Sequence, residues 1–320
     1  MSLSDDINTI STSLSDIKDA IILKGITPSG NITTYATAIG QISSSEPGYL
    51  PREVKNGVYQ QMSESFTFSV PSTATDLGYK VLYFAFDGCT SLTSVDLLSL
   101  TAVSGNYALA YSFNGCTSLT SANLSSLTTI SGSYALYYVF NGCISLTSAD
   151  LSSLTTVSGD YGLSSTFYGC TGLASLSFPS LTTVSGNYAL NEIFRNCTSL
   201  TSVSFPELVS LTSHRAFYGA FNGTHITSIS FPKLTTLSGT QCLQYAFSYC
   251  TSLASVSFPA LTSSSFSTAT SQFNLMLNAV TGCTVHFPSN LQSAIGSWSD
   301  VTAGFGGTNT TVLFDLPATT

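Results

Sequence analysis

Charge is scarce in this sequence. Eight Lys and Arg and sixteen Asp and Glu are spread over 320 residues, 8% of the chain against roughly 25% in an average globular domain. A surface that grips nucleic acid needs clustered basic side chains. Eight scattered ones, at a formal net charge of −8, exclude that partner. Long apolar runs are missing too. Mean hydropathy is +0.30, yet no stretch approaches the ~18–20 residues of a membrane span, so no membrane insertion is expected. The positive value reflects missing Lys and Glu. The opening "MSLSDDINTISTSLSDIKDA" has no basic region followed by an apolar one, so as written it does not read as a secretory signal. The closing "TTVLFDLPATT" lacks a hydrophobic tail or basic stop-transfer segment. The expectation is a soluble, unanchored chain made in the cytoplasm.

Catalytic constellations are absent as well. His214, His225 and His286 are isolated, and Ser and Thr are too abundant for one to stand out as a nucleophile. The Gly-rich "FGGTNTT" (305–311) follows no strand and opens no helix, so it makes a poor phosphate loop. No enzyme, cofactor or metal centre is expected.

What is present is a repeat. Cys89, Cys116, Cys143, Cys170 and Cys197 are each 27 residues apart, Thr224 takes the next place, and Cys250 follows after one deletion. Phe86, Phe113, Phe140, Phe167, Phe194, Phe221 and Phe247 stand three residues before that position. Leu92, Leu119, Leu146, Leu173, Leu200, Ile226 and Leu253 follow it. An unbroken period over seven units predicts a solenoid, in which one rung cannot bury its own faces and stability comes from stacking. Within a unit, "SLTSVSFP" (199–206) alternates apolar and small polar residues as a half-buried strand does. Pro179, Pro206, Pro232 and Pro259 close the later strands, where a ladder donor is no longer needed. "LTTVSG" (181–186) reads as a second short strand with Leu181 and Val184 facing in. "NYALNEIFRNC" (187–197) reads as a compact turn or short helix that returns the chain to the next rung.

The evenly spaced thiols admit four readings. Zinc sites use close Cys pairs with His nearby, which a 27-residue interval does not offer. A column of equivalent thiols gives disulfides no preferred pairing, and a cytoplasmic origin disfavours oxidation. A reactive thiol wants a local basic group, and none recurs with the cysteine. Packing of a small, readily buried side chain remains. Cys242 falls outside the register. Asp96, Asn123 and Asp150 share one strand position and could form a row of metal-binding oxygens, but the row ends at Ser177. A solvated strand face explains it better.

The order of strand, Pro, second apolar pair and Phe-x-x-Cys-x-x-Leu resembles the BspA-type leucine-rich repeat, drawn out here to 27 residues over about 64–290. That resemblance implies a surface adhesin or interaction protein. The expected fold is therefore a β-rich leucine-rich-repeat solenoid with short turns or helices between its strands.

Residues 1–24 carry a different period. Leu3, Ile7, Ile10, Leu14, Ile17 and Ile21 are spaced 4, 3, 4, 3, 4, a heptad seam. Ile at d with Ile or Leu at a favours trimers or tetramers over dimers, so an N-terminal α-helical coiled coil and a homotrimer are expected. A helix capping its own solenoid is the alternative. "IKDAIILKGITPSGNITTYATAIGQI" (17–42) resembles a short helical module of phage tail and fibre proteins through Ile17, Lys18, Ala20, Ile21, Lys24, Gly25, Tyr35, Ala36 and Ile39. The organisation expected is an oligomerising helix (1–24), a helical module and linker (25–63), the solenoid (64–290) and a C-terminal cap (291–320).

A binding surface is expected just before the repeat Phe. Two residues before it stand Phe84, Tyr111, Tyr138, Ser165, Glu192, Gly219 and Tyr245; one earlier stand Tyr83, Ala110, Tyr137, Ser164, Asn191, Tyr218 and Gln244. These positions vary while the apolar ones do not. Tyr83, Phe84, Tyr111, Tyr137, Tyr138, Tyr218 and Tyr245 are the candidate receptor face, since exposed aromatics can stack on sugars or anchor a protein; tyrosines that simply pad the turn between rungs are the alternative. The column Tyr107, Tyr134, Tyr161 and Tyr188 is regular enough to read as structural. Together these features suggest a phage virion fibre or spike that contacts other virion proteins through its N-terminal region and a host-surface glycan or protein through the solenoid. A bacterial cell-surface or secreted adhesin is the alternative, and an intracellular scaffold comes third.

Overall fold

The computed structural model describes residues 66–70, 72, 74–262, 272–294 and 304–318. The heptad positions Leu3, Ile7, Ile10, Leu14, Ile17 and Ile21 and the helical module after them lie outside the described residues.

Each 27-residue unit forms one rung with three sides. The first side is a short strand with small hydroxyl or polar residues outward and one apolar residue inward. These strands pair in parallel with the next rung: Phe66–Ser69, Leu92–Asp96, Ser121–Asn123 and Ser148–Asp150 in one sheet, then Ser175–Ser177 with Ser202–Ser204. Ser228–Ser230, Ser255–Ser257, Thr284–Pro288 and Thr311–Leu316 follow. Register joins equivalent residues, Val95 to Ala122 and Ala122 to Ala149. The second side is a two-residue strand per rung, Ala102–Val103 through Thr236–Leu237, in a six-stranded parallel ladder. Leu181, Val184, Leu200, Val203 and Phe205 are all buried, as the alternation predicts. The ladder continues past the boundary expected at 290. A one-turn helix, Leu291–Ala294, follows the strand Thr284–Pro288, and Thr311–Leu316 then adds another parallel strand to it.

The third side is neither strand nor helix, and the alternative of turns is the one realised. Along 107–116 the odd-numbered N–H groups point to the next rung. Tyr107, Leu109, Tyr111, Phe113 and Gly115 donate to the carbonyls of Ser133, Ala135, Tyr137, Val139 and Asn141 at 2.7–3.0 Å. The even-numbered ones bond within the rung, Ala108 to Gly105, Ala110 to Tyr107, Ser112 to Leu109, Asn114 to Tyr111 and Cys116 to Phe113. Both halves of the backbone are thereby satisfied without a helix. The geometry requires a left-handed residue every fourth position: φ is 57° at Tyr107, 57° at Tyr111 and 68° at Gly115.

Inside, the repeat phenylalanines stack upon one another from Phe86 to Phe247 with centroids 5.2–5.8 Å apart. A second column holds Leu97, Leu124 and Leu151, then Phe178, Phe205, Phe231 and Phe258, all essentially inaccessible to solvent. Each such side chain contributes about 1.5–3 kcal/mol on burial, which is how a chain with few charges holds together.

One glycine column sets how closely the rungs approach. A Cβ on Gly105, Gly132, Gly159, Gly186 or Gly239 would lie 2.0–2.3 Å from a backbone atom of the rung before. Gly159→Ala is therefore expected to cost about 3 kcal/mol or more, because a backbone atom and not a flexible side chain must give way. Gly88→Ala, at φ 73° but with open space around it, should lose only about 1 kcal/mol of left-handed strain. Urea unfolding midpoints of the two variants check the contrast; equal shifts would reject it.

Candidate binding face

The left-handed turns decide which side chains reach the surface of the third side. Residues four apart share the same backbone conformation and the same outward direction, and the 27-residue period places each beside its equivalent one rung away. Two ring columns result. Tyr107, Tyr134, Tyr161 and Tyr188 stack with centroids 4.6–4.8 Å apart and planes within 6°. Phe84, Tyr111 and Tyr138 form the second column, at 4.5 and 5.3 Å. All of these rings are half-buried. A non-glycine left-handed residue costs about 1–2 kcal/mol, and an aromatic pair returns about 0.5–1.5 kcal/mol. Stacking thus offsets much of the strain that the turns impose on tyrosine.

Tyr83 and Tyr137 stand across the two columns. Tyr137 meets Tyr134 and Tyr111 at 5.4 Å and Tyr138 at 4.5 Å, each close to perpendicular. A ring turned this way spans more than the ~4.8 Å between strands, so it fits only on alternate rungs. The rungs that follow carry Ala110 and Ser164 at that position, both completely buried. Over these four rungs large and small residues alternate for this reason.

Five of the seven candidate residues, Tyr83, Phe84, Tyr111, Tyr137 and Tyr138, are thus brought together. Tyr218 and Tyr245 form a separate pair further along, 5.6 Å apart. The expectation that every position of these two columns points outward needs correction: Ala110, Ser164, Ser165 and Gln244 are buried, because the crossing rings and the tight turns cover them. The Tyr107 column, read as structural, belongs to the same surface. The four-residue interval between Tyr107 and Tyr111 was the signal for it. Cations close that column at both ends in the same register: Lys80 Nζ lies 5.7 Å from the Tyr107 ring centre and the Arg215 guanidinium 5.6 Å from that of Tyr188. Arg215 also donates to the Tyr188 hydroxyl at 2.9 Å and to Gln241 Oε1 at 2.8 Å. Burial raises the phenol pKa of Tyr111, Tyr134, Tyr137 and Tyr161, so these hydroxyls stay protonated.

The cysteines lie on the inner side of the same turns. None forms a disulfide, and all eight are buried. Packing is half of their role. Five thiols of the column also donate to a carbonyl of the previous rung: Cys116 to Phe86 at 3.0 Å, Cys143 to Phe113 at 3.1 Å, Cys170 to Phe140 at 3.0 Å, Cys197 to Phe167 at 2.9 Å and Cys250 to Phe221 at 2.9 Å. In the first four the same carbonyl accepts the N–H of its own rung's cysteine, so the thiol occupies its second lone pair. Thr224 does not reach back in this way: its hydroxyl donates to Phe221 O of its own rung at 2.8 Å, the same carbonyl that accepts the Cys250 thiol of the next rung at 2.9 Å. Cys242 is in register after all, but in another column. It takes the small-residue place held by Ala108, Ala135, Gly162, Ala189 and Ala216. The Asp96, Asn123 and Asp150 carboxyl and amide oxygens cap their own turns, accepting from Leu98, Ser125 and Ser152 N–H. Among the described residues no group of three His, Cys, Asp or Glu could hold a metal ion, and no helix is long and apolar enough to cross a membrane.

The family model described as "BspA type Leucine rich repeat region (6 copies)" matches residues 52–191, 85–219 and 164–293. The chain belongs to the BspA-type leucine-rich repeat family. A crystal structure of a T. pallidum leucine-rich repeat protein (TpLRR) is 20% identical, covering 77% of this chain and 87% of that one at a TM-score of 0.29. The assignment of this BspA-type chain rests on its repeat motif and not on that superposition. No curated protein matches the chain.

Burial raises the thiol pKa to about 12 at Cys143, Cys197, Cys242 and Cys283 and to about 11 at Cys250. Neutral thiol is the form the folded state prefers, so its contribution is complete below the unfolded thiol value near 8.5 and is lost as pH rises toward 12. Stability measured by urea unfolding should be level from pH 6 to 8 and fall steadily above pH 9. A profile that stays flat to pH 11 would contradict buried, hydrogen-bonded thiols.

Proposed function

We propose that this BspA-type protein is an adhesive binding protein, and that its tyrosine face is where a surface glycan or protein receptor attaches. The observation that carries this reading is the continuous, half-buried aromatic surface made by the Tyr107 column, the Phe84–Tyr111–Tyr138 column and the crossing rings Tyr83 and Tyr137. Such side chains combine large contact area with few rotatable bonds, and here the stacks have already fixed their rotamers before any ligand arrives. Because the column rings face one another, they offer a ligand their edges and phenol hydroxyls. Recognition is by hydrogen bonding along a ridged surface more than by stacking on open ring faces.

In the fuller reading the chain is a subunit of a phage fibre or spike. The heptad spacing of Leu3, Ile7, Ile10, Leu14, Ile17 and Ile21 and the likeness of residues 17–42 to a phage tail and fibre module support it. Three copies of one weak face gain through avidity.

Glycan arrays and binding to host-cell surfaces test the face. The paired variant Tyr83→Ala with Tyr137→Ala should weaken binding by about tenfold or more while leaving the cores of the rungs folded, since hot-spot aromatics carry about 2 kcal/mol or more. Unchanged binding would move the site elsewhere. Light scattering on the full chain tests the assembly, and the mass expected is about three times 33.6 kDa. A species that stays monomeric at high concentration would remove the trimer.

A further inference from the structure

Covalent stapling between rungs is closed to the cysteines, because each column thiol is buried and committed to a backbone carbonyl. The tyrosines are differently placed. Tyr107, Tyr134, Tyr161 and Tyr188 put four phenols in one line, each half-buried and each held face to face with the next at 4.6–4.8 Å and within 6° of parallel. Tyr111 and Tyr138 repeat the arrangement at 5.3 Å and 3°. The left-handed backbone and the inter-rung hydrogen bonds from Tyr107 to Ser133, Tyr134 to Asp160 and Tyr161 to Asn187 keep these neighbours in place.

We propose that this column is an oxidative cross-linking site, at which neighbouring tyrosines join as dityrosine and lock one rung to the next. In the reaction, each of two phenols gives up one electron and one proton. The two phenoxyl radicals form a carbon–carbon bond between ring positions ortho to oxygen. Each ring then regains aromaticity by passing its ortho hydrogen to its own oxygen, so that two hydrogen atoms are lost in all. The co-reactant is a peroxide acting through a haem peroxidase; the peroxide takes up the two electrons and two protons and leaves as two molecules of water. The product ties residues 27 apart in sequence, the two side chains turning so that their ortho carbons meet. Phe84, which stacks on Tyr111 at 4.5 Å, has no phenol and ends the second column.

The molecule contains its own controls. Tyr79 and Tyr249 are 54% and 57% exposed, so they would react first if access alone governed coupling. The Tyr111–Tyr137 pair is near in space but almost perpendicular, at 89°. The test treats the dilute full-length protein with hydrogen peroxide and a haem peroxidase, and maps cross-linked peptides by mass spectrometry. The dominant products expected are 107–134, 134–161, 161–188 and 111–138, within one chain, accompanied by a higher unfolding midpoint and lost when the reaction is run in urea. Tyr134→Phe should abolish the first two and leave 161–188; Tyr161→Phe should leave 107–134 in its place. Products dominated by Tyr79 or Tyr249, by 111–137, or by links between chains would overturn the proposal. So would a wild-type pattern that survives unfolding.

Discussion

Everything in this protein depends on one constraint: after each circuit the backbone must come back to a point one strand spacing from where it began. Two sides of the rung meet this with parallel strands. The third meets it with turns whose N–H groups alternate between the neighbouring rung and their own. The glycine column shows how little slack there is, since a single Cβ at Gly132 or Gly159 would sit inside the backbone of the preceding rung.

Once rungs repeat at that distance, any residue type that recurs at 27 becomes a column, and the chemistry of the column follows from that of the pair. Phenylalanines stack because the strand spacing is close to that of offset aromatic rings. Thiols recur because each reaches the carbonyl one rung back. Threonines do the same at the corners, Thr120 to Thr93 and Thr147 to Thr120. Charge is what such an array tolerates least, because like charges would stand directly over one another. The low content of Lys, Arg, Asp and Glu follows from this arrangement, and where Lys80 and Arg215 do occur in the tyrosine column they stand at its ends.

The surface chemistry is tied to the same backbone. Tyrosine is an awkward residue for a left-handed position, yet Tyr107, Tyr111, Tyr134, Tyr138, Tyr161, Tyr188 and Tyr245 all adopt it. Stacking across rungs offsets part of the strain where the left-handed residue is a tyrosine with a ring on the neighbouring rung. The row is interrupted at Ser165, Glu192 and Gly219, all of which keep the left-handed conformation, and the aromatic surface breaks there into two patches.

The repeat, its period, the strand alternation and the buried partners of Leu200, Val203, Phe205 and Phe113 were all readable from residue order, because inward positions obey periods that depend only on local backbone geometry and apolarity. Family membership followed from the same spacing. Three things needed the folded molecule. The thiol's second role requires knowing which carbonyl lies one rung back. The αL turns leave no apolar signature, so a compact turn and a short helix looked alike over 187–197. The tyrosine face joins two columns four residues apart that seemed unrelated in sequence, and it hides Ala110, Ser164 and Ser165, because a crossing ring reaches over the rung beside it. Sequence determined what would stack; only the tertiary structure decided which stacks would meet at the surface, since that depends on the direction each turn gives its side chain.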